Sequence, residues 1–527
     1  MILVNNIKLP LDTDFNNFKS ALKKHSALKG VIITDAKLYK RSVDARRKDD
    51  LHFCCSALIS VSGGENKALK RLKNSKIYLE EKYEFKTVEN HSGERPVVVG
   101  FGPAGIFAAY TLAKAGLKPI VLERGKAVDQ RTEDVKSFWE GKELNTESNV
   151  QFGEGGAGTF SDGKLTTGIN DRRCRTVLEI FHENGANENI LTEAKAHIGT
   201  DVLALVIKNI REKIISLGGE IRFSSRLDKI NSKDGAVCSV EVSTRESRYT
   251  LPCDRLILAI GHSARDTLYM LKDINIEMVR KPFAVGVRIE HKQNDINRAL
   301  YGNFANHPAL SAADYKLAVH LPSGRGVYTF CMCPGGFVVN ASSENKRLAV
   351  NGMSYSLRDG ENANSALLCE VLPDDLEGDD VLAGIEFQRK LEQAAYNLAS
   401  GSGVPVQTVG SYLFGENTSP TVTPTVKPSA VYTDISEIFP DFINTSLRDG
   451  IKAFGIKILG FDSKGAVLTA PESRSSCPVR ILRDSNFCSL SLNHLYPSGE
   501  GAGYAGGIMS AAVDGIKTAE AVIDSFL

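Results

Sequence analysis

The chain has 527 residues, enough at roughly 100–200 residues per domain for about three domains. Its 64 Lys and Arg against 63 Asp and Glu leave a net charge of +1, and 24% charged with 42% hydrophobic residues is an ordinary globular composition. Ten cysteines are too sparse for a disulfide framework, their spacings fit no zinc pattern, and no run approaches the roughly 18 apolar residues that span a bilayer. With no basic-then-apolar segment at the start, the expectation is a cytoplasmic protein with no metal site and no membrane.

Residues 1–90 read as βαββαβ: an apolar strand (Ile2–Leu9), a helix (Asp14–Leu28), strands at Val31–Leu38 and Leu51–Val61, a short helix (Glu65–Leu72) and a last strand (Lys76–Phe85). That order predicts a ferredoxin-like α+β module. LYKRSVDARRKDD, between its second and third strands, forms a basic connection. Residues 1–94 carry 18 Lys and Arg against 12 Asp and Glu, a net of +6 that leaves −5 for the rest. Such a module suits docking of RNA or of an acidic protein partner.

The polar linker VENHSGE (88–94) gives way to Val97-Val98-Val99-Gly100-Phe101-Gly102-Pro103-Ala104-Gly105, where a new domain starts. An Ala-rich helix follows (106–115), then a β-like run (Lys118–Leu122) ending in Glu123-Arg124-Gly125. Further elements are a helix at Val206–Leu217, a strand at Glu220–Phe223, a hairpin-like pair at Val237–Ser243 and Tyr249–Leu251, and a buried strand in Arg255–Gly261. Residues 281–351 are β-rich, Glu386–Leu398 is a helix, Ser411–Pro428 is an ordered surface excursion, and Ile508–Ile523 is the closing helix.

Three stretches satisfy GxGxxG: Gly100/Gly102/Gly105, Gly153/Gly155/Gly158 and Gly501/Gly503/Gly506. Only the first has a preceding strand, a following helix and an acid at dinucleotide-binding distance, Glu123 lying 23 positions after Gly100. Gly100 permits the turn, Gly102 admits phosphates to the backbone, and Gly105 lets helix and strand pack closely. The Gly501 match opens the final helix, which suits a helix N-terminus aimed at an anionic ligand.

These segments together resemble flavoproteins of the glutathione-reductase-like superfamily, in which an N-terminal Rossmann unit and a distant C-terminal segment close on one FAD. The resemblance implies that Glu500 stands where Asp is usual and that amides near Gly507 and Ile508 face the flavin. It also implies that Gln151–Lys164 is the glycine loop laid along the pyrophosphate, with Ser161, Lys164 and Arg131 in reach of FAD, and that Ala259-Ile260-Gly261 is the turn returning to the cofactor. The cofactor-binding set so defined is Gly100, Gly102, Pro103, Ala104, Gly105, Glu123, Arg124, Arg131, Gly155, Gly156, Thr159, Ser161, Lys164, Gly261, Gly499, Glu500, Gly501, Ala502, Gly507 and Ile508.

Within that superfamily, KRSVDAR (40–46), HIGTD (197–201), KPFAVGVRIEH (281–291), FCMCPGG (330–336), NGMS (351–354) and the GEGAGYAGGIMSAAVDG close resemble an incompletely characterised family of FAD-dependent (NAD(FAD)-utilising) dehydrogenases. The implied fold class is α/β, with a discontinuous, three-layer ββα Rossmann-like FAD domain (95–275 and 481–527), an inserted β-rich substrate domain (276–480) and the ferredoxin-like module (1–90). The implied activity is exchange of a hydride or electron pair between a small molecule and the flavin. No second complete Rossmann unit is present, so NAD(P)H would bind only transiently, in the substrate cavity.

Catalytic candidates are Arg288 and Arg474, which with Arg325 and Arg358 could hold an anionic substrate, and Cys331 and Cys333 as redox thiols. In a regular strand the two cysteines would lie about 6.6 Å apart, at the long edge of disulfide geometry, which favours packing over pairing. His291, His320 and His494 are candidate proton donors. The alternative reading is an FAD-containing binding module whose basic N-terminus engages RNA or an acidic partner.

Overall fold

The computed structural model describes residues 1–23, 25–80, 82–89, 93–401 and 403–526. Residues 90–92 of the expected linker lie outside the described residues.

The first four strands, β1 (Ile2–Leu9), β2 (Ile33–Asp44), β3 (His52–Val61) and β4 (Ser75–Ile77), pair antiparallel in the order β2-β3-β1-β4. With helices α1 (Phe18–Lys23) and α2 (Glu65–Leu69) between them, this is the ferredoxin-like arrangement that the element order predicts. Alternation decides which face is buried: in β3, Phe53, Cys55, Ala57 and Ile59 point inward and the residues between them are half-exposed.

Three details differ from the sequence reading. The basic connection is mostly strand, because β2 continues to Asp44 in register with His52 of β3. Arg41 on that strand packs over Phe15 and Phe53 and bonds Glu193 at 2.8 Å, so it docks the module onto the rest of the chain. The last strand is shorter than predicted. Tyr83, Phe85 and Val88 spend their apolar alternation on a helical layer, where Tyr83 Oη donates to Glu520 at 2.5 Å.

A five-stranded parallel sheet follows. Its first strand is β5 (Val97–Val99), followed in sequence by the helix α3 (Pro103–Lys114), β6 (Ile120–Leu122) and β7 (Glu220–Arg222). An antiparallel meander, β8 (Arg226–Lys233), β9 (Ala236–Ser243) and β10 (Arg248–Pro252), leads into β11 (Leu256–Leu258), which returns beside β5. The strand Leu495–Pro497, from the far end of the chain, completes the far edge beside β11.

Buried on both faces, these strands read as short, continuous apolar runs, except the half-buried edge strand β7, Glu220-Ile221-Arg222. Val98, Val121, Ile257 and Tyr496 face the helical layer of α3, Thr200–Ser216 and Ile508–Asp524; Val97, Val99, Ile120, Leu122 and Leu258 face the meander. The result is three layers, meander on sheet on helices.

Between β11 and the last strand the chain builds a seven-stranded sheet. Its order is Ala318–His320, Gly326–Cys333, Asn362–Val371, Phe283–Lys292, Val467–Glu472, Val404–Thr408 and Ala430–Tyr432, antiparallel except for the final pair. Its core is continuous with that of the N-terminal module. No helix among the described residues is long and apolar enough to cross a membrane.

The turn after β5 depends on missing Cβ atoms. One added at Gly105 would stand 1.9 Å from the Gly100 carbonyl oxygen. Gly105→Ala is therefore expected to lower stability by about 1–3 kcal/mol, the usual cost of overpacking, read as a lower urea midpoint at unchanged slope.

Candidate functional site

A cavity of about 650 Å³ opens at the carboxyl ends of β5, β6 and β11, where open α/β sheets place ligands. All three glycine-rich segments contribute to its wall: Gly100–Ala104, Gly153 with Gly156–Gly158, and Gly506–Ile508. Gly100 takes φ +95°, and Pro103 starts α3 with Gly102 as its cap, so the first amides of the helix point into the cavity mouth. Gly156 faces this turn; a Cβ on it would stand 2.9 Å from the Gly102 Cα.

Glu123, 4% exposed, sits at the end of β6 and ties two of these segments together. Its carboxylate accepts the amides of Phe101 at 2.8 Å, Gly125 at 2.8 Å and Gly153 at 2.9 Å. Three of about four acceptor positions are thereby used.

The C-terminal segment is anchored from behind by Asp514, which accepts the Gly499 amide at 2.7 Å and pairs with Arg483 at 2.6 Å. It touches the turn after β11 so closely that a Cβ on Gly501 would lie 2.4 Å from the Gly261 carbonyl oxygen. By contrast, Gly506 and Gly507 face open space at the start of the closing helix.

The opposite wall comes from the seven-stranded sheet, through Thr329–Met332 and Glu472, and from the segments beside it, through Asn351, Arg358 and Arg474. Its arginines each face a carboxylate. Arg288 lies just behind, bonded to Glu472 at 2.8 Å and Asn364 at 2.6 Å; burial alone would lower its pKa, but Glu472 outweighs that and raises it. Arg358 pairs with Asp162, which also holds Lys164 at 2.9 Å. Arg474 shares Glu392 with Arg265, each making two bonds of 2.7–2.9 Å. Burial pushes the Glu392 carboxyl up, and the two arginines override it and hold it far below the usual carboxylate range.

Over its full length the chain is 48% identical to an uncharacterized protein of Clostridium beijerinckii strain ATCC 51743, covering 100% of this chain and 99% of that protein. The chain belongs to that protein's family. Within this family member, residues 282–475 match a model described as "FAD-dependent protein, C-terminal domain-like", and residues 1–60 match a domain of unknown function, DUF8436. Solved structures similar to this family member include the flavin-dependent brominase Bmp2 (12% identity, TM-score 0.39, covering 82% of this chain and 79% of that one). A second is CtdE in complex with FAD (12%, TM-score 0.31, 81% and 83%). A third is the glycerol-3-phosphate dehydrogenase of Bacillus halodurans complexed with FAD (13%, TM-score 0.34, 82% and 63%).

In this family member the cavity gathers Gly100, Gly102, Pro103, Ala104, Glu123, Arg124, Gly156, Ser161, Lys164, Gly261, Glu500, Gly507 and Ile508 of the expected cofactor set. Others shape the wall without lining it. Gly105, Gly155, Gly499 and Gly501 provide close contacts, Ala502 is buried, and the Thr159 hydroxyl bonds the Glu154 carbonyl at 3.2 Å. Arg131 corrects the expectation of a phosphate contact. Fully buried, it donates to the carbonyls of Asn149, Val150, Gly153, Glu154 and Gly156, and so clamps the glycine loop with every N–H it has. Burial draws its pKa down to about 10.

The expected arginine cluster is also corrected: Arg325 pairs with Asp375 outside the cavity wall, Arg288 is spent on Glu472, and Arg474 on Glu392. None of His291, His320 and His494 lines the cavity; His291 instead bonds the Phe461 carbonyl at 2.8 Å. The histidine at the site is His262. Its Nδ1 lies 3.6 Å from Glu500, and its Nε2 is buried with no protein partner. Its position directly after the glycine that ends the β11 turn was the available signal.

Glu392→Gln would leave Arg265 and Arg474 facing a neutral amide in the interior, at an expected cost of about 3–5 kcal/mol in thermal or urea unfolding. The acid limb gives a second check. Arg389, Arg265 and Arg474 outweigh burial and hold Glu344 at about 2 against an ordinary 4.5, with Glu392 lower still. Because the folded values are depressed, this stabilisation is whole above about pH 4.5 and is lost as pH falls toward 2. Glu392→Gln should therefore flatten that limb.

Proposed function

We propose that this chain is an FAD-dependent oxidoreductase of the glutathione-reductase-like type, acting on a small molecule. In this reading residues 95–275 and 481–527 hold FAD, 276–480 cover the substrate, and 1–90 form an appended module. The observation that carries it is the convergence of three glycine-rich segments, far apart in sequence, on one cavity wall. The match of residues 282–475 to an FAD-dependent family supports it.

The residues present fit the cofactor. At Gly102 a Cβ would meet only the Gly156 Cα, at 3.7 Å, and at Gly506 and Gly507 nothing at all, so these positions leave room for a ligand rather than for packing. The buried, unpartnered Nε2 of His262 is a polar atom in want of a ligand contact. Bound there, FAD would supply exchange of a hydride or electron pair.

The chain's own residues supply the rest. The first amides of α3 and the Gly102 backbone hold phosphate charge, the free acceptor position of Glu123 takes a ribose hydroxyl, and the N-terminus of Ile508–Asp524 favours negative charge beside it. His262, with one nitrogen toward Glu500, holds or passes a proton at Nε2. Thr329–Met332, Asn351 and Glu472 exclude water from the opposite side. NADH or NADPH serves, in this reading, as a transient donor in the same cavity.

Gly102→Val tests the placement, since the protein itself has space for the added Cβ. Its unfolding midpoint should stay near wild type while retained FAD falls by about tenfold or more, about 1.4 kcal/mol or more of binding. Unchanged FAD content would refute the phosphate assignment. Anaerobic flavin reduction by a panel of metabolites with NADH and NADPH then identifies the donor; a bound flavin that no member of a broad panel reduces would count against an oxidoreductase.

A further inference from the structure

Strand Gly326–Cys333 is irregular where it lines the cavity wall. It pairs with Asn362–Val371 as far as Phe330↔Ala366 and resumes at Cys333↔Asn364, so three steps on one strand oppose two on the other. This is a β-bulge, a device that re-aims side chains. Inside it Cys331 takes φ +42°, a left-handed conformation that a residue with a Cβ adopts only when its surroundings impose it.

The bulge removes the argument against pairing that a regular strand supplies. The Cys333 thiol folds back on Cys331, donating to its carbonyl at 3.2 Å. Cys331 lines the cavity, and Cys333 is buried directly behind it. Two cations, each with its own carboxylate, face the bulge: Arg288, paired with Glu472, donates to the Cys331 carbonyl at 3.2 Å, and the ammonium of Lys164, paired with Asp162, donates to the Met332 carbonyl. The neighbouring Cys333 thiol and these two cations outweigh burial and lower the Cys331 thiol below its ordinary value, while the nearness of Cys331 and burial raise Cys333. Low-pKa thiols in partly exposed, electropositive settings are the reactive ones.

We propose that Cys331 and Cys333 form a redox-active dithiol in the cavity wall that exchanges with small disulfides, Cys331 attacking and Cys333 resolving. The Cys331 thiolate attacks one sulfur of the external disulfide, forming a mixed disulfide and releasing one thiolate. Cys333 then gives up its proton and attacks the Cys331 sulfur, closing the Cys331–Cys333 bond and releasing the second thiolate. The external disulfide gains two electrons and the pair loses two; a dithiol reductant reverses both steps. This chemistry stands without FAD, so its failure and the failure of the flavin reading are separable.

The test treats the full-length protein with glutathione disulfide, quenches with an alkylating agent and maps the cysteines by peptide mass. The expected product is a Cys331–Cys333 disulfide that dithiothreitol reverses. Cys333→Ser should trap glutathione on Cys331, since the resolving thiol is gone while Cys331 still lines the cavity, at a rate several-fold above that of the half-buried Cys174 and Cys488. Cys331→Ser should leave Cys333 reduced. Cys331→Gly, which suits the left-handed backbone, should do the same while keeping or raising the unfolding midpoint, which separates lost chemistry from lost fold. The proposal is overturned if both thiols stay fully alkylatable under conditions that modify the exposed Cys238, or if glutathione in Cys333→Ser lands elsewhere than Cys331.

Discussion

Close backbone approach at the carboxyl edge of the parallel sheet is the constraint on which the rest of the structure depends. A side chain at Gly100 would stand 2.3 Å from the Ala259 carbonyl oxygen, one at Gly105 1.9 Å from that of Gly100, and one at Gly501 2.4 Å from that of Gly261. Three turns, from the start, middle and end of the chain, can meet there only because none carries a Cβ. Their meeting closes a sheet whose last strand comes from residues 495–497 and brings the closing helix beside α3. The cavity is the space left on the ligand side of that contact.

Around it the wall is made rigid by charge as well as by packing. Glu123 gathers amides from two turns, Arg131 gathers carbonyls from the glycine loop, and Arg288, Arg358 and Arg474 are each fixed by a buried carboxylate. Isolated, any of these ions would be costly to bury; paired, each holds one piece of wall in one position. That rigidity suits orienting a ligand, and it spends the arginines on structure rather than on an anionic substrate. The bulge at Cys331 is held in place by two cations of this wall, Arg288 and Lys164, through the carbonyls of Cys331 and Met332.

Much of this was legible in the sequence, for physical reasons. Strand, glycine turn, helix, strand and acid are local features with fixed spacing, so β5 to Glu123 could be read directly, and alternation exposed the βαββαβ order of the first module. What escaped was either polar or non-local. β8 (Arg226–Lys233) carries too few apolar residues to announce a strand, yet it pairs along β9. Arg131 reads from the sequence as a phosphate contact until the loop 18–25 residues later folds over it. Arg288 and Glu472 are 184 residues apart, and nothing in either neighbourhood marks them as partners. A bulge is invisible to a period-2 reading, which is why the two cysteines looked too far apart to interact.

In the proposed reading the convergence of three glycine turns serves one extended, phosphate-bearing ligand, and flavin content measures that directly. Purified protein, and apoprotein titrated with FAD, should show a bound-flavin visible spectrum saturating at one FAD per chain. A colourless protein that neither retains nor takes up FAD, though folded, would contradict the account.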